Sequence, residues 1–368
     1  MTSPGSTPPP DPGSVSDGAL EPLVSVEPLV PAAPDPDGAI RHPGLPPVRP
    51  GASTFTIEGR ATPGLFVVGW LASLIGLGAI FVGVLSGGGL TSTIILGVGL
   101  VLLTVGLVAA SGSQGLERRA RGTLPYRGPS PFLVFLTAVP LSILAIVVVV
   151  IPMGLLGIPV DGPFARFVSV LLQAVVYLAL IRLLVTDTGS LSWAEMGVRR
   201  LDPKGLRDIG VGALWAVPVI AFTIPIATIL QALFSVTPAS PLPPAGETSG
   251  FIFNLIAGAI VAPIGEELLF RGLATTAWVR GLGARRGIVR GALFFALVHV
   301  LTISGGTAGE AAQLAFIGFA SRVPVAFALG YLFVKRESIW ASLGLHATFN
   351  GILLVVAEMA LRQGIPGT

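Results

Sequence analysis

The sequence predicts an all-α fold, a polytopic membrane bundle of about eight or nine transmembrane helices behind a disordered N-terminal tail. Only 11% of the 368 residues are charged, against roughly 25% in an ordinary soluble domain. Uncharged runs at 61–116, 128–160 and 209–246 exceed the roughly 20 residues that a helix needs to cross a bilayer. Backbone groups in lipid must be hydrogen-bonded internally, so these runs are predicted to be helices.

The first element is a proline-rich tail at residues 1–62. It contains 14 of the 32 prolines and shows neither a helical nor a strand period, which predicts a disordered segment. Its beginning lacks the basic start and apolar core of a signal peptide. We therefore expect the first span to act as an uncleaved anchor.

The hydropathy pattern then predicts nine spans, with boundaries soft by several residues. They lie near 64–86, 90–110, 131–157, 164–185, 208–235, 250–275, 288–305, 312–334 and 339–360. We group them as N-terminal transmembrane helices (63–188) and a transmembrane core (189–360), followed by a short C-terminal tail (361–368). Between the fourth and fifth spans, residues 191–206 are interpreted as a surface-lying segment or a basic cytoplasmic loop.

The basic residues predict the orientation. If the tail is cytoplasmic, the segments on its side hold 17 of the 22 Lys and Arg residues, as the positive-inside rule requires. We expect a multi-pass protein of the cell membrane with its N-terminus inside and its C-terminus outside. No Lys/Arg run is suited to gripping phosphates, which argues against nucleic acid as a partner. The absence of cysteine excludes disulfides, thiolate metal sites and a cysteine nucleophile.

A few ionisable side chains lie inside the predicted spans. They are Arg182, Glu266, Glu267, Arg271, His299, Arg322, His346 and Glu358. Each charge at the bilayer centre costs about 2.5 to 3.5 kcal/mol on insertion scales. A cluster of such residues therefore indicates a functional site or a tightly paired structural one.

Helix geometry separates the two adjacent acids. Glu267 and Arg271 are four residues apart and share one helix face, with the acid nearer the N-terminus, the favourable order for an ion pair. Glu267 is therefore predicted to hold Arg271. Glu266 lies about 100° away around the helix, so it is the carboxylate predicted to face an interior cavity and do chemistry. Alternatively, both acids pair with arginines in the bundle, or Glu266 is neutral and packed.

Two of the three histidines lie in late spans. Phe295 precedes His299 by one turn, and Asn350 follows His346 by one turn. A lone intramembrane histidine is often a hydrogen-bonded packing residue, but two of them alongside a carboxylate pair favour a site. At about 1.5 Å per residue, Glu266 and both histidines lie roughly 13 to 21 Å from the cytoplasmic flank. This similar depth predicts that they converge.

The remaining charges have alternative interpretations. Arg322 lies at comparable depth and is either a supporting counter-ion for Glu266 or Glu267, or a group that binds an acidic or carboxylate group of a substrate. Glu358 and Arg182 lie near span ends, where snorkelling to the interface is the ordinary explanation.

Three motifs therefore follow one another on late helices: Glu266-Glu267-xxx-Arg271, Phe295-xxx-His299 and His346-xxx-Asn350. This ordered set resembles the motifs of the CAAX protease and bacteriocin-processing family, also called the Abi family. The resemblance covers roughly residues 190–360 and marks 189–360 as the catalytic core. It does not extend to the tail or the first three or four spans.

The resemblance implies intramembrane proteolysis of a membrane-associated peptide or protein, with the lipid bilayer as the other partner. Eukaryotic relatives cut prenylated C-terminal tails, while many prokaryotic relatives process peptides or protect against bacteriocins. The implied roles are general base and water activation for Glu266 and His299, oxyanion stabilisation for His346 and Asn350, and support for Glu267 and Arg271.

Two questions stay open at this point. Zinc is a possible cofactor, with Glu266, His299 and His346 as ligands, although no HExxH helix is present. The same intramembrane Glu, His and Arg residues also describe a proton- or ion-coupled transporter, but every motif falls in the second half, whereas transporters commonly have duplicated halves. A third possibility is a non-catalytic immunity or scaffold protein of the same fold.

Overall fold

A computed structural model gives the fold for residues 40–42, 45–48, 57, 59–122, 124–238 and 242–364. This part of the chain contains nine helices, which confirms the predicted all-α class. They are α1 (Pro63–Leu85), α2 (Gly89–Arg121), α3 (Pro131–Leu155), α4 (Pro163–Thr186), α5 (Pro203–Phe234), α6 (Thr248–Leu282), α7 (Ala284–Val298), α8 (Ala308–Arg336) and α9 (Ile339–Arg362).

Eight of these helices are long and apolar enough to cross a membrane, so the chain is a multi-pass integral membrane protein. The exception is α7, where the sequence predicted a span at 288–305. This helix has 15 residues and is about 22 Å long, less than the roughly 30 Å hydrocarbon core. The hydropathy pattern did not reveal that the helix is short, because the apolar run continues past the residue at which the helix ends.

The distribution of basic residues predicts that the chain nevertheless crosses the membrane between α6 and α8. Both helices end in basic residues, Arg280 in α6 and Lys335 and Arg336 in α8. Basic helix ends favour the same, cytoplasmic side. In this topology α7 and the non-helical segment 299–307 together make the crossing, which places His299 where the helix stops, inside the membrane.

Two short strands precede the helices, an element that the prediction for residues 1–62 did not include. The strands β1 (Ile40–His42) and β2 (Leu45–Val48) pair antiparallel, with Ile40 opposite Val48, and they lie beside α2. Prolines are tolerated in β2 because every strand of a two-stranded ribbon is an edge strand. The predicted disorder otherwise falls largely on residues outside the described part.

Helices α1 and α2 form a close pair through glycines. A Cβ added at Gly76 would lie 2.7 Å from the carbonyl oxygen of Gly99, and one at Gly106 would lie 2.9 Å from the carbonyl carbon of Ala72. Small residues let membrane helices approach to backbone contact, where dispersion replaces the hydrophobic effect as the driving force.

Glycines also allow close contact between α5 and α9, the helix that carries His346. A Cβ at Gly212 of α5 would lie 2.7 Å from the Leu345 nitrogen, and one at Gly344 of α9 would lie 2.8 Å from the Ile209 Cα atom. Backbone therefore rests on backbone next to His346, and the depth and rotation of α9 are fixed there.

The main buried core lies among α3, α4, α6 and α7. At its centre, Phe294 of α7 packs edge-to-face against Phe135 of α3 and Phe270 of α6, with ring centroids 5.5 and 5.4 Å away. Aromatic pairs in this geometry add about 0.5 to 1.5 kcal/mol beyond area burial. This cluster anchors the helices that carry the acids and His299.

The connector between α4 and α5 is anchored in the protein, unlike the predicted surface-lying segment, while the alternative interpretation, a basic cytoplasmic loop, stays a prediction, since Arg199 and Arg200 are exposed. Leu191 and Met196 are fully buried in the main core, and the carbonyl of Gly197 accepts a hydrogen bond from the Ile339 nitrogen at the start of α9. Leu191 and Met196 fix the connector to the core and the hydrogen bond ties it to the start of α9, whereas Leu201 is 53% exposed.

Candidate functional site

The two adjacent acids lie where α6 changes from α-helical to π-helical geometry. A short α-helical turn ends at Glu266, and the wider π-helical turns run from Glu267 to Thr275. Thr275 supports them, because its hydroxyl donates to the carbonyl of Phe270 five residues earlier. π-Helical turns in α-helices are frequently found at functional sites.

Glu267 forms the predicted ion pair with Arg271. Arg271 Nη1 donates to Glu267 Oε1 over 2.8 Å, with the two side chains 2% and 0% exposed. The guanidinium also lies over the Phe295 ring, 4.2 Å from its centroid. A buried ion pair is stable only when its charges are well bonded, and the cation–π contact adds to that bonding.

His346 touches both acids, a contact that the sequence did not predict. Its Nδ1 lies 2.8 Å from Glu267 Oε1, and its Nε2 lies 3.7 Å from Glu266 Oε2. An ionised carboxylate can only accept hydrogen bonds, so Nδ1 carries the proton and donates it to Glu267. This leaves Nε2 directed towards Glu266.

His299 is held in the same way by a different acceptor. Its Nδ1 lies 2.7 Å from the carbonyl oxygen of Phe295, one turn earlier, and a carbonyl can only accept. Its Nε2 lies 3.5 Å from Glu266 Oε2. The ring is further packed against the Phe295 ring, with centroids 4.3 Å apart.

Glu266 therefore lies between two imidazoles whose Nδ1 atoms are engaged elsewhere. Its side chain is 19% exposed and that of His299 is 25% exposed, whereas His346 is 6% exposed. The accessible acid is thus Glu266, and Glu267 is the enclosed one. Separations of 3.5 and 3.7 Å are too long for direct hydrogen bonds and suit a bridging polar group.

Asn350 lies one turn beyond His346, and its amide contacts the first π-helical segment of α6, Ala257–Val261. Asn350 Nδ2 donates to the carbonyl oxygen of Gly258 over 2.8 Å. This is one of the two amide hydrogens, and the second remains available as a donor. Gly258 has no motif signal in the sequence, because π-helical segments leave no clear pattern of residue types.

Arg322 makes no ion pair within the described residues. Its side chain is half-buried, and Nη1 donates to the carbonyl oxygen of Gly318, 2.9 Å away. The predicted contact with Glu266 or Glu267 is therefore not a direct one.

The expectation that Glu358 snorkels is wrong. Glu358 is buried, and its carboxylate accepts from the Ala245 nitrogen and from Arg362. It fixes the segment before α6 to α9, which explains how a charge is tolerated there. Arg182 is exposed, as predicted, and lies 3.6 Å from Asp187.

The possible zinc set stays a prediction. Over the described ranges, no group of three or more His, Cys, Asp or Glu side chains has an arrangement that could hold a metal ion. Glu266, His299 and His346 do converge, with both Nε2 atoms directed towards Glu266, and the hydrogen bond from His346 Nδ1 to Glu267 leaves its Nε2 atom open to a ligand.

Comparison with known proteins adds one finding. Residues 248–352 match the family model for type II CAAX prenyl endopeptidase Rce1-like proteins, which confirms the resemblance over the segment from the start of α6 into α9. No curated protein and no solved structure matches the chain. The matched segment contains the three motifs and Arg322.

Proposed function

Residues 248–352 are Rce1-like, and from this premise we propose that the protein is an intramembrane endopeptidase that hydrolyses a peptide bond of a membrane-associated peptide or protein. Glu266 and His299 activate water, and His346 and Asn350 stabilise the oxyanion. Glu267, Arg271 and Phe295 hold these groups in place.

One observation carries the proposal. Glu266 Oε2 and the Nε2 atoms of His299 and His346 face one another at 3.5 and 3.7 Å, and both rings have their Nδ1 proton engaged. A neutral imidazole then presents a lone pair at Nε2. Glu266 and His299 together accept the two O–H groups of one water molecule and leave its oxygen lone pairs for attack.

The reaction follows from this placement. The water oxygen bonds to the scissile carbonyl carbon while Glu266 accepts the proton that leaves, and His299 orients the water. As the C–N bond breaks, Glu266 returns this proton to the leaving amine. The second water hydrogen leaves with the new carboxyl group, so all atoms are accounted for.

The oxyanion needs hydrogen-bond donors, and the proposal assigns this role to Asn350 and His346. Asn350 has a free amide hydrogen beside its bond to Gly258. His346 donates through Nε2 only when both ring nitrogens are protonated, because Nδ1 already donates to Glu267. A donor aimed at a developing oxyanion contributes about 3 to 4 kcal/mol.

The test compares acids that are adjacent in sequence. Purified protein in liposomes is given lipidated and transmembrane peptides, and cleavage is measured for wild type, Glu266→Gln and Glu267→Gln, each with and without a chelator. Glu266→Gln is expected to abolish cleavage and to keep the wild-type yield and Tm. Glu267→Gln is expected to lower yield and Tm along with activity, because it leaves the Arg271 charge buried without its partner, at about 3 to 5 kcal/mol.

Full turnover by Glu266→Gln would refute its role as the base, and loss of cleavage on chelation would show that a metal takes part. The absence of cleavage by wild type across the peptide set would favour a transporter or a non-catalytic protein. The variants separate chemistry from folding because Glu267 accepts two hydrogen bonds of 2.8 Å that hold the bundle together, whereas the histidines beside Glu266 lie 3.5 and 3.7 Å away.

A further inference from the structure

A cavity outside the Rce1-like segment lies between α1, α2 and the start of α3. Its volume is about 570 Å³, within the roughly 300 to 1,000 Å³ of pockets that hold small molecules. Phe66 and Trp70 line it from α1, Leu107 lines it from α2, and Leu133 lines it from α3. None of these residues belongs to the proposed catalytic site, so the cavity is a separate candidate for binding a ligand.

The cavity is charged at one end and apolar at the other. Glu117, Arg118 and Arg121 line it from the last residues of α2, and basic residues at a helix end predict the cytoplasmic side. Leu107 lies eleven residues before Arg118 in the same helix, which places it about 16 Å deeper in the membrane. The cavity therefore suits a molecule with a polar head at the interface and an apolar chain in the bilayer.

Two arginines give the charged end its affinity for an anion. Arg118 Nη1 donates to the carbonyl oxygen of Gly128 over 3.0 Å, which uses one of its five N–H donors. Arg121 Nε lies 4.0 Å from Glu117 Oε2, and its side chain is 44% exposed. Among the described lining residues Glu117 is the one acid, so positive charge is in excess. Guanidinium groups pair well with phosphate.

Glu117 provides a second, independent indication of a ligand. Its side chain is 9% exposed, and its Oε1 atom accepts a hydrogen bond from the Ala61 nitrogen over 2.8 Å. Its Oε2 atom is buried and has no hydrogen-bond partner among the described residues, since 4.0 Å to Arg121 is too long for one. A buried acceptor without a donor destabilises a protein. The ligand that fits this end carries a phosphate and, next to it, a hydrogen-bond donor.

We propose that the cavity binds a phospholipid of the cytoplasmic leaflet whose headgroup carries an ammonium group, as in phosphatidylethanolamine. The phosphate pairs with Arg118 and Arg121, and the ammonium donates to Glu117 Oε2. An acyl chain lies along Trp70 and Leu107. Basic pockets between transmembrane helices on the cytoplasmic side bind lipid headgroups, and here the buried carboxylate selects the ammonium. This site does not depend on the proposed endopeptidase function.

The experiment titrates full-length protein in detergent with lipid and measures Kd by native mass spectrometry. Phosphatidylethanolamine is compared with phosphatidylcholine, which keeps both headgroup charges but has methyl groups in place of the ammonium N–H donors. Soluble phosphoethanolamine, which has no acyl chains, is added as a competitor. The variants are Glu117→Gln, Arg121→Gln and the control Arg127→Gln. Arg127 lies in the loop that follows α2 and does not line the cavity.

Phosphatidylethanolamine is expected to bind about 10- to 100-fold more tightly than phosphatidylcholine, the range for hydrogen bonds to charged groups. Glu117→Gln should remove this preference, because the one acceptor of the amide is taken by the Ala61 nitrogen. Arg121→Gln should weaken both lipids about 10-fold, and Arg127→Gln should leave both Kd values unchanged. Tm is measured for each variant, and Arg121→Gln is expected to fold because Arg121 makes no hydrogen bond among the described residues.

Equal binding of the two lipids by wild type would overturn the proposal, as would a preference that survives in Glu117→Gln. If Arg121→Gln and Arg127→Gln weaken binding equally, the attraction comes from the basic loop as a whole and the cavity is overturned as the site. Displacement of phosphatidylethanolamine by phosphoethanolamine at a similar concentration would support the headgroup contacts and overturn a lipid as their source. If Glu117→Gln does not fold, the comparison of the two lipids in wild type and Arg121→Gln still decides between these outcomes.

Discussion

Gly212→Ala is expected to displace α9 and to disable the site without touching it. A Cβ at Gly212 would lie 2.7 Å from the backbone nitrogen of Leu345 and closer still to the carbonyl oxygen of Ala341. Non-bonded contacts of real Cβ atoms are essentially never shorter than 3.0 Å. Both neighbours are backbone atoms, so no side-chain rotation relieves the overlap. We expect α5 and α9 to separate by about 0.5 to 1 Å, the kind of backbone shift that overpacking produces.

The structure sets two opposing contributions to stability. Overpacking lowers the free energy of unfolding by about 1 to 3 kcal/mol, while replacing glycine by alanine in a helix raises it by up to about 1 kcal/mol. The net loss is small enough for the protein to remain folded. The same shift lengthens the 2.8 Å hydrogen bond between His346 and Glu267 beyond an ordinary bonding distance. Misplacement of a catalytic group by about 1 Å can reduce a rate by about 100-fold.

The assay measures kcat, KM and Tm for Gly212→Ala and for its neighbour Gly210→Ala. Gly210 lies two residues away in the same helix, and a Cβ there would have no atom within 4 Å. Gly210→Ala should keep wild-type kcat, with Tm unchanged or slightly raised, while Gly212→Ala should lose about 100-fold in kcat. Wild-type kcat in Gly212→Ala, or an equal loss in Gly210→Ala, would refute the argument from helix spacing.

Two further predictions test the Asn350 amide donor and the Glu195–Arg280 ion pair. Asn350→Ala should lower kcat by about 100- to 1,000-fold with little change in Tm, and a rise in KM alone would contradict an oxyanion role. Glu195→Gln should flatten the acid side of the Tm–pH curve, because the hydrogen bond from Arg280, followed by that from the Ser192 backbone, lowers the pKa of Glu195 to about 2. A carboxyl group whose pKa is lower in the folded than in the unfolded protein stabilises the fold at pH values above the unfolded-state pKa of about 4.3. This stabilisation is lost as the pH falls towards 2. Since both side chains are partly exposed, the free energies of unfolding of wild type and Glu195→Gln should differ by less than about 1 kcal/mol at neutral pH. Parallel Tm–pH curves for the two proteins would argue against the ion pair.

Hydropathy and helix periodicity predicted most of the fold, because the bilayer leaves few alternatives. A long uncharged run in lipid must be a helix, and a charge there must be paired or functional. The same reasoning predicted the Glu267–Arg271 pair, which requires only a four-residue spacing, and separated Glu266 from it. Similar depth predicted that His299 and His346 would lie close to Glu266.

What the sequence could not predict depends on contacts between distant segments. The hydrogen bond from Asn350 to Gly258 requires a π-helical turn, which leaves no period in the residue pattern. The burial of Glu358 was missed because one of its two partners, the Ala245 backbone nitrogen, is 113 residues away and carries no side-chain signal, although the other, Arg362, is four residues on in the sequence. Met196 was assigned to a surface segment because its neighbours in sequence are charged, while its burial depends on packing between helices.

The adjacency of the two acids has a structural reason. Consecutive helical residues point about 100° apart, so one carboxylate can be enclosed while the next faces an opening. His346 lies in the angle between them and reaches both through opposite ring nitrogens. The buried Glu267–Arg271 pair therefore sets the tautomer and orientation of His346, and so fixes a group that faces Glu266. If either acid moved by one residue, a single imidazole could no longer contact both. This explains why a membrane helix carries two neighbouring charges, although one charge would cost less free energy of insertion.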